Sequence, residues 1–140
     1  MKRSASAVWK GGLQDGRGTV STESGLLSGT PYNFRMRFEN EQGTNPEELV
    51  AAAHAACFSM ALSAILGRAG MTAESIGTKA TVTLEKVGEG FEVTASHLET
   101  TVSIPGAYKA AFAQAVEAAK TGCPISKLLN APITMDAKLL

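Results

Sequence analysis

The sequence is poor in the residues that mark secreted, disulfide-stabilised proteins. It has 2 cysteines among 140 residues, and aromatic residues make up 6% of it. Small secreted domains usually contain more cysteines, because disulfides compensate for a small core. The N-terminus begins with basic residues but lacks the apolar segment of a secretory signal. These features favour a cytoplasmic protein.

An excess of charge of either sign is also missing. Lysines and arginines together number 13, as do aspartates and glutamates. This balance argues against a nucleic-acid partner and against an anionic membrane surface. The glycine-rich dinucleotide and P-loop patterns are absent as well, which argues against a bound nucleotide cofactor.

One uncharged stretch, residues 49–66, is long enough to cross a membrane. Alanine dominates this stretch, however, and His54, Ser59 and Ser63 interrupt it. A helix buried within protein explains such a composition better than a membrane span does.

The overall composition is that of a folded protein, with 44% hydrophobic and 19% charged residues. We therefore expect a single domain spanning 1–140. Alternating apolar residues predict strands over 4–10, 18–22, 32–38, 78–87, 91–104 and 133–139. A change of apolar parity near Ser96 and His97 predicts a β-bulge there. Helices are predicted over 45–68, 108–120 and 124–129, which gives an α+β fold.

The first of these helices has a well-defined start. Asn45 is a favourable N-cap, Pro46 suits the first helical position, and Glu48 occupies the third. Its many alanines lie all round the axis, so neighbouring elements can approach it closely from every side. We expect a central helix that is wrapped by sheet or by a second chain.

The two cysteines have different surroundings. Cys57 lies in the middle of the long helix, where a reactive thiolate would need a nearby cation. A small core residue is an equally good interpretation of it. Cys123 lies at the start of the last helix, where backbone N–H groups and the helix dipole favour a thiolate. An ordinary helix cap at a tight turn explains that position as well.

Histidine and zinc chemistry are the alternatives. His54 precedes Cys57 by three residues, so the two are neighbours on the helix and could form a nucleophile–base pair. A hydrogen-bonded core histidine is the commoner case. His97 and Cys123 could complete a zinc site, but no short-range metal spacing supports one. Composition alone singles out neither Arg37, which could be a surface charge, nor Glu48, which could be part of a helix cap.

Four segments, taken together, resemble the OsmC/Ohr family of osmotically inducible and organic-hydroperoxide-resistance proteins. They are GTNPEELVAAAHAACFSMALS (43–63), KTGCPISKLLNAPIT (120–134), RGTVSTESGLL (17–27) and PYNFRMRFE (31–39). The last segment is more similar to the OsmC branch than to the Ohr branch. The resemblance implies an OsmC-like fold, in which antiparallel sheets wrap around a long central helix. It also implies an intertwined homodimer with active sites at the subunit interface.

The resemblance further implies a thiol-dependent peroxidase that reduces organic hydroperoxides. Cys57 matches the peroxidatic cysteine, Cys123 the resolving cysteine, and Glu48 the glutamate of the family motif. Arg37 matches the catalytic arginine, with Arg17 and Arg35 as nearby alternatives. The family implies no bound cofactor, but an external dithiol as reductant, of the dihydrolipoyl type in the Ohr branch. A non-catalytic stress protein that binds a small molecule on the same fold is the main alternative.

These residues suggest a mechanism. Arg37 would favour the Cys57 thiolate, and Glu48 would orient the guanidinium through a bidentate pair. Cys57 would become a sulfenic acid and then a disulfide with Cys123, which the dithiol reduces. Nine helical steps of about 100° place Glu48 and Cys57 on opposite helix faces, about 13 Å apart along the axis. We therefore predict that the Glu48 nearest a given Cys57 belongs to the other chain.

Overall fold

A computed structural model describes all of the residues of the chain and divides them into two units, Met1–Leu49 and Val50–Leu140. The division falls near the start of a long helix. The single domain expected over 1–140 is not tested by this division and stays a prediction.

The first unit contains a small antiparallel sheet. Its strands are β1 (Ala5–Lys10), β2 (Arg17–Thr22) and β3 (Thr30–Tyr32), in the order β1-β2-β3. Trp9 and Tyr32 contact each other across β2, with ring centroids 5.5 Å apart. Gly18 makes this contact possible, because a Cβ there would lie 2.4 Å from the Tyr32 ring and 2.7 Å from the Trp9 ring. All residues of β1 are exposed within the chain. The first two predicted strands are confirmed.

The strand predicted over 32–38 is wrong. β3 ends at Tyr32, and α1 (Phe34–Phe38) follows as a short helix. Asn33 is its N-cap, since the Asn33 side-chain oxygen accepts a hydrogen bond from the Met36 N–H at 2.8 Å. Phe34 and Phe38 then lie one turn apart, with ring centroids 4.8 Å from each other. A pattern with apolar residues at every second position also places apolar residues four positions apart. The short pattern over 32–38 is therefore compatible with a strand and with a helix.

The long helix α2 (Pro46–Arg68) is confirmed, and its start is capped as predicted. The Asn45 side-chain oxygen accepts a hydrogen bond from the Glu48 N–H at 2.9 Å. By length and composition α2 could cross a membrane. Instead, one face of α2 packs into the core of the second unit. The buried residues of this face are His54, Phe58, Leu62 and Leu66. The opposite stripe, Ala52, Ala56, Met60 and Ala64, is exposed, so the chain itself covers α2 on one side only.

The second unit contains a three-stranded sheet in the order β4-β5-β6. β4 (Ser75–Val87) and β5 (Gly90–Ser103) form an antiparallel hairpin, whereas β6 (Ile133–Leu139) runs parallel to β5. The sheet is therefore mixed, and not wholly antiparallel as expected.

The β-bulge lies at Thr94, so its predicted position near Ser96 and His97 is wrong by two to three residues. Ala95 pairs with Thr83, but Val93 pairs with Leu84, which leaves Thr94 as the extra residue. Ala95 and Ser96 are small, so the apolar pattern did not determine which of them faces the core.

Two further helices cover the core face of this sheet. α3 (Lys109–Gly122) buries Phe112, Ala115, Val116 and Ala119. These pack with the apolar stripe of α2 and with Leu98 and Val102 of β5. α4 (Pro124–Leu128) follows directly, with Cys123 between the two helices. The α+β class and all three predicted helices are confirmed.

Candidate active site

The two cysteines meet in the second unit. The Cys57 and Cys123 sulfurs lie 2.8 Å apart, and both are free thiols. Cys57 is partly exposed, whereas Cys123 is 0% exposed. Because a disulfide bond measures about 2.05 Å, a shift of less than about 1 Å would allow the two sulfurs to bond.

Cys123 is held by the backbone on both sides. Its N–H donates to the Ala119 carbonyl of α3 at 3.0 Å, and its carbonyl accepts from the Lys127 N–H of α4 at 3.1 Å. It is the N-cap of α4, as predicted, and Pro124 follows at the first helical position. The Cys123 side chain makes no capping hydrogen bond. Its sulfur contacts Cys57 instead.

The surroundings of Cys57 favour the neutral thiol. Burial raises the pKa of the Cys57 thiol, and the hydrogen-bonded Cys123 sulfur raises it further. The backbone N–H of Ile125, at the start of α4, acts in the opposite direction but does not reverse the shift. None of the groups that act on this thiol is a cation. Since the thiolate is the nucleophile, a positive charge beside Cys57 would increase its reactivity.

His54 is a hydrogen-bonded core residue. It is 0% exposed, with its Nδ1 atom 2.7 Å from the Ser96 hydroxyl and its Nε2 atom 2.8 Å from the Ser126 hydroxyl. Burial lowers the pKa of the His54 imidazole, so the ring is neutral and donates to one serine while it accepts from the other. Both ring nitrogens are therefore engaged, which disfavours His54 as the base of a Cys–His hydrolase.

The proposed zinc ligands are not gathered at one place. No group of three or more His, Cys, Asp or Glu residues is arranged to hold a metal ion. His97 contacts Thr134 through Nδ1 at 2.6 Å and Asp136 through Nε2 at 3.3 Å. All three of these side chains lie on the face of the sheet opposite the core.

Arg37 makes a two-pronged ion pair within the first unit, but its partner is not Glu48. Arg37 Nη2 lies 2.7 Å from Glu47 Oε1, and Arg37 Nε lies 3.2 Å from each Glu47 oxygen. Glu48 instead accepts a hydrogen bond from the Thr44 hydroxyl at 3.3 Å. The bidentate pairing predicted for Glu48 is thus made by Glu47 within the chain. Neighbouring glutamates differ by about 100° around a helix, and the sequence did not reveal which of them faces α1.

The alternative arginines have weaker partners. Arg35 is 68% exposed and lies 3.4 Å from Glu39 and from Glu41. Arg17, at the start of β2, forms no ion pair in the structure and lies opposite Lys10. Arg37 also borders an open hollow of about 260 Å³, most of whose lining is apolar or aromatic: Trp9, Leu13, Tyr32, Asn33, Phe34 and Phe38.

The predicted site residues thus form two clusters, one in each unit. The second unit contains the sulfur pair, Cys57 and Cys123. The first contains Arg37 and Glu48, together with Glu47, which was not predicted and which pairs with Arg37. Sequence reasoning missed Ser96 and Ser126. A polar residue at an inward position of a strand, as at Ser96, was the one available signal.

Comparisons with known proteins agree on one family. Residues 39–138 match the family described as OsmC-like protein. The chain is 54% identical over 133 residues to the peroxiredoxin OsmC of Escherichia coli K12, covering 95% of this chain and 93% of that protein. It is 28% identical over 129 residues to an organic hydroperoxide resistance protein of Xanthomonas axonopodis pv. citri, covering 91% and 88%.

A solved structure supports the fold. The organic hydroperoxide resistance protein OhrB of Bacillus subtilis superposes with a TM-score of 0.68 at 24% identity, over 98% of both chains. At this identity the likeness concerns the fold alone.

Proposed function

The chain belongs to the family of OsmC-like proteins, and we propose that it reduces organic hydroperoxides to alcohols, with Cys57 as the attacking sulfur and Cys123 as its disulfide partner. Thiol-dependent peroxidase activity follows from this family relationship. The observation that best supports the assignment of residues is the 2.8 Å separation of the two sulfurs. Core packing alone gives no reason for the two cysteines of the chain to meet.

The first step oxidises Cys57. Its thiolate attacks one oxygen of the hydroperoxide R–O–O–H, the O–O bond breaks, and RO⁻ leaves and is protonated to the alcohol. Cys57 is then a sulfenic acid. A cation beside the leaving oxygen would stabilise the charge that develops on it.

The next steps return Cys57 to the thiol. The Cys123 thiol displaces the hydroxyl of the sulfenic acid, which forms the 57–123 disulfide and releases water. An external dithiol, which we propose to be of the dihydrolipoyl type, then reduces this disulfide by exchange and is itself oxidised. The sulfur atoms carry both electrons, so peroxiredoxin chemistry of this kind needs no prosthetic group.

The raised pKa of the Cys57 thiol is the obstacle that this mechanism must overcome. Arg37 is the permanent cation that we propose for the task. Glu47 holds the guanidinium in a fixed orientation. Glu48, the carboxylate predicted from the sequence, lies beside it at the same helix start and remains a candidate for the second acidic group.

We propose further that two copies form a homodimer, in which Arg37 of one copy is placed at Cys57 of the other. The exposed stripe of α2 supports this, because Ala52, Ala56, Met60 and Ala64 would be covered by a second copy. The wholly exposed strand β1 supports it as well. Helix geometry, which separates Glu48 from Cys57, also favours a site assembled from two chains. We place the protein in the cytoplasm, where thiols are kept reduced.

Counting free thiols tests the assignment. The reduced protein is mixed with one equivalent of cumene hydroperoxide, beside Cys57→Ser and Cys123→Ser. We expect rapid loss of both thiols in the parent, with the mass of an intramolecular disulfide. Cys57→Ser should be inert, and Cys123→Ser should stop at a sulfenic or further oxidised Cys57. Parent thiols that persist for hours would favour the alternative, a stress protein that binds a small molecule without turnover.

A further inference from the structure

Buried His54 connects the helix that carries Cys57 to the helix that follows Cys123. On one side its Nε2 atom meets the Ser126 hydroxyl of α4 at 2.8 Å. On the other side its Nδ1 atom meets the Ser96 hydroxyl of β5 at 2.7 Å. The mechanism proposed above makes no use of this fully buried, titratable residue.

Apart from the Ile125 N–H that acts on the Cys57 sulfur, few contacts hold α4 in place. It is only 5 residues long, and Ser126 is its one buried residue. Leu128 is 75% exposed, while Ile125 packs partly against the core. A helix of one or two turns has no stability of its own in water, so α4 depends on its tertiary contacts. The buried hydrogen bond between Ser126 and His54 is an important one of these contacts. If it broke, each polar group would be left buried without a partner or water.

Two of the contacts between α2 and the start of α4 form matching rungs. His54 and Cys57 are three residues apart on one face of α2. Cys123 and Ser126 are also three residues apart, at the start of α4. One rung is therefore the His54–Ser126 hydrogen bond and the other is the Cys57–Cys123 sulfur contact. Because both rungs join the same two short segments, fixing one rung restricts the other.

We propose that His54 is a positioning residue for disulfide formation: its hydrogen bond to Ser126 holds α4 so that the Cys123 sulfur stays within bonding reach of Cys57. The biological use of this arrangement rests on the proposed peroxidase function, although the positioning itself is a property of the thiol pair. If α4 were free to move away, the Cys57 sulfenic acid would survive longer and meet a second hydroperoxide. That molecule would oxidise it to the sulfinic acid, which Cys123 cannot resolve.

Substitutions of His54 by side chains of different length test its two hydrogen bonds one at a time. In His54→Gln the amide extends to the former Nε2 position and can still reach Ser126. In His54→Asn the shorter amide reaches only the former Nδ1 position and can still reach Ser96. Ser126→Ala removes the α4 partner directly. The matched control is Ser59→Ala, because Ser59 donates from the same helix to Thr78 of β4 at 2.9 Å and not to α4.

The first measurement needs no hydroperoxide. Each variant is equilibrated in a buffer of reduced and oxidised dithiothreitol, in which the protein dithiol plus oxidised dithiothreitol gives the protein disulfide plus reduced dithiothreitol. For Ser126→Ala and His54→Asn we expect the equilibrium constant for disulfide formation to fall about fivefold. His54→Gln and Ser59→Ala should stay within about twofold of the parent. Equal constants for Ser126→Ala and Ser59→Ala would overturn the proposal, even if the His54 variants fail to fold.

The second measurement follows the partition of Cys57 in excess cumene hydroperoxide by mass spectrometry. We expect Ser126→Ala and His54→Asn to yield more sulfinic acid and less disulfide than the parent, while Cys57 oxidation itself keeps its rate. A variant that slows both steps equally would show general destabilisation and contradict a positioning role. If the parent does not react with hydroperoxide at all, the peroxidase assignment fails, and the dithiothreitol equilibrium still decides the role of His54.

Discussion

The two units of the chain differ in the chemistry that they offer. The second unit presents two sulfurs, one buried and one partly exposed, in a setting that raises the pKa of the Cys57 thiol. The first unit presents a fixed positive charge, Arg37, whose side chain is 37% exposed and pairs with Glu47. The sulfur pair is thus placed to form a disulfide but has no cation to favour the Cys57 thiolate, whereas the Arg37–Glu47 ion pair has no nucleophile.

In the proposed mechanism, neither unit alone offers all of the groups that the reaction needs. Attack on a hydroperoxide needs a thiolate and a cation near the leaving oxygen. A buried cysteine gains no reactivity from burial, which suppresses its charge. In the mechanism proposed above, activity depends on bringing Arg37 of one copy to Cys57 of the other, and the following predictions test that dependence.

Removing the charge should have the largest effect. Arg37→Ala should lower kcat/KM for cumene hydroperoxide about a hundredfold to a thousandfold, because the thiolate and the leaving oxygen both lose their cation. The pKa of Cys57, measured from the pH dependence of its alkylation rate, should rise in parallel. Arg35→Ala is the matched control, since Arg35 neighbours Arg37 on the same short helix, and it should retain parent activity. A comparable loss in Arg35→Ala would reassign the catalytic arginine.

Mixing two inactive variants tests whether the clusters come from different copies. Arg37→Ala supplies an intact Cys57, and Cys57→Ser supplies an intact Arg37. If sites form between chains, half of the randomly mixed dimers contain one complete site, so unfolding and refolding the mixture should restore about a quarter of parent activity. The peroxidase rate of the mixture, compared with that of each variant refolded alone, checks this. No recovery in a mixture shown to contain heterodimers would mean that each site belongs to one chain.

Neutralising the carboxylates should have an intermediate effect. Glu47→Gln should lower kcat/KM about tenfold, since the guanidinium loses its charged bidentate partner. Glu48→Gln, which lacks that contact, should cost less than about twofold. The two variants are isosteric and adjacent, so each serves as the control for the other. A larger loss in Glu48→Gln would restore the assignment made from the sequence.

The smallest effect concerns stability and the buried imidazole. Burial lowers the pKa of His54 from 6.5 in the folded state, so below pH 6.5 the unfolded chain binds the extra proton first. The contribution of the neutral His54 ring to the free energy of unfolding should therefore be complete above pH 6.5. This contribution should be lost as pH falls from 6.5 through the folded-state pKa. Urea denaturation across this range should show a flatter profile in His54→Gln. Ser59→Ala, a control on the same helix that leaves both histidines in place, should keep the parent slope.

Local signals in the sequence predicted much of the fold. Asn45 with Pro46 and Cys123 with Pro124 fixed the starts of two helices, because capping depends on a few neighbouring residues. The segment 34–38 was assigned wrongly, since five residues do not separate a strand period from a helix period. The Thr94 bulge was misplaced because small residues around it face either side at similar cost.

The site was predictable only in part. The roles proposed for Cys57 and Cys123 came from the resemblance to a family, since their local surroundings left inert alternatives open. Glu47 was missed because it is adjacent to Glu48 in the motif. The contacts of His54 join it to residues 42 and 72 positions away. Contacts of that range are set by the packing of three elements and leave no periodic trace in the sequence.

The complete burial of Cys123 has a consequence for the order of events in a catalytic cycle. If the disulfide keeps the exposures of the two thiols, the external dithiol of the proposed cycle attacks the partly exposed Cys57, and Cys123 is the leaving thiol. Oxidant and reductant therefore approach the same atom, and one must depart before the other arrives. Such alternation corresponds to ping-pong kinetics, with parallel double-reciprocal plots and inhibition by excess of either substrate.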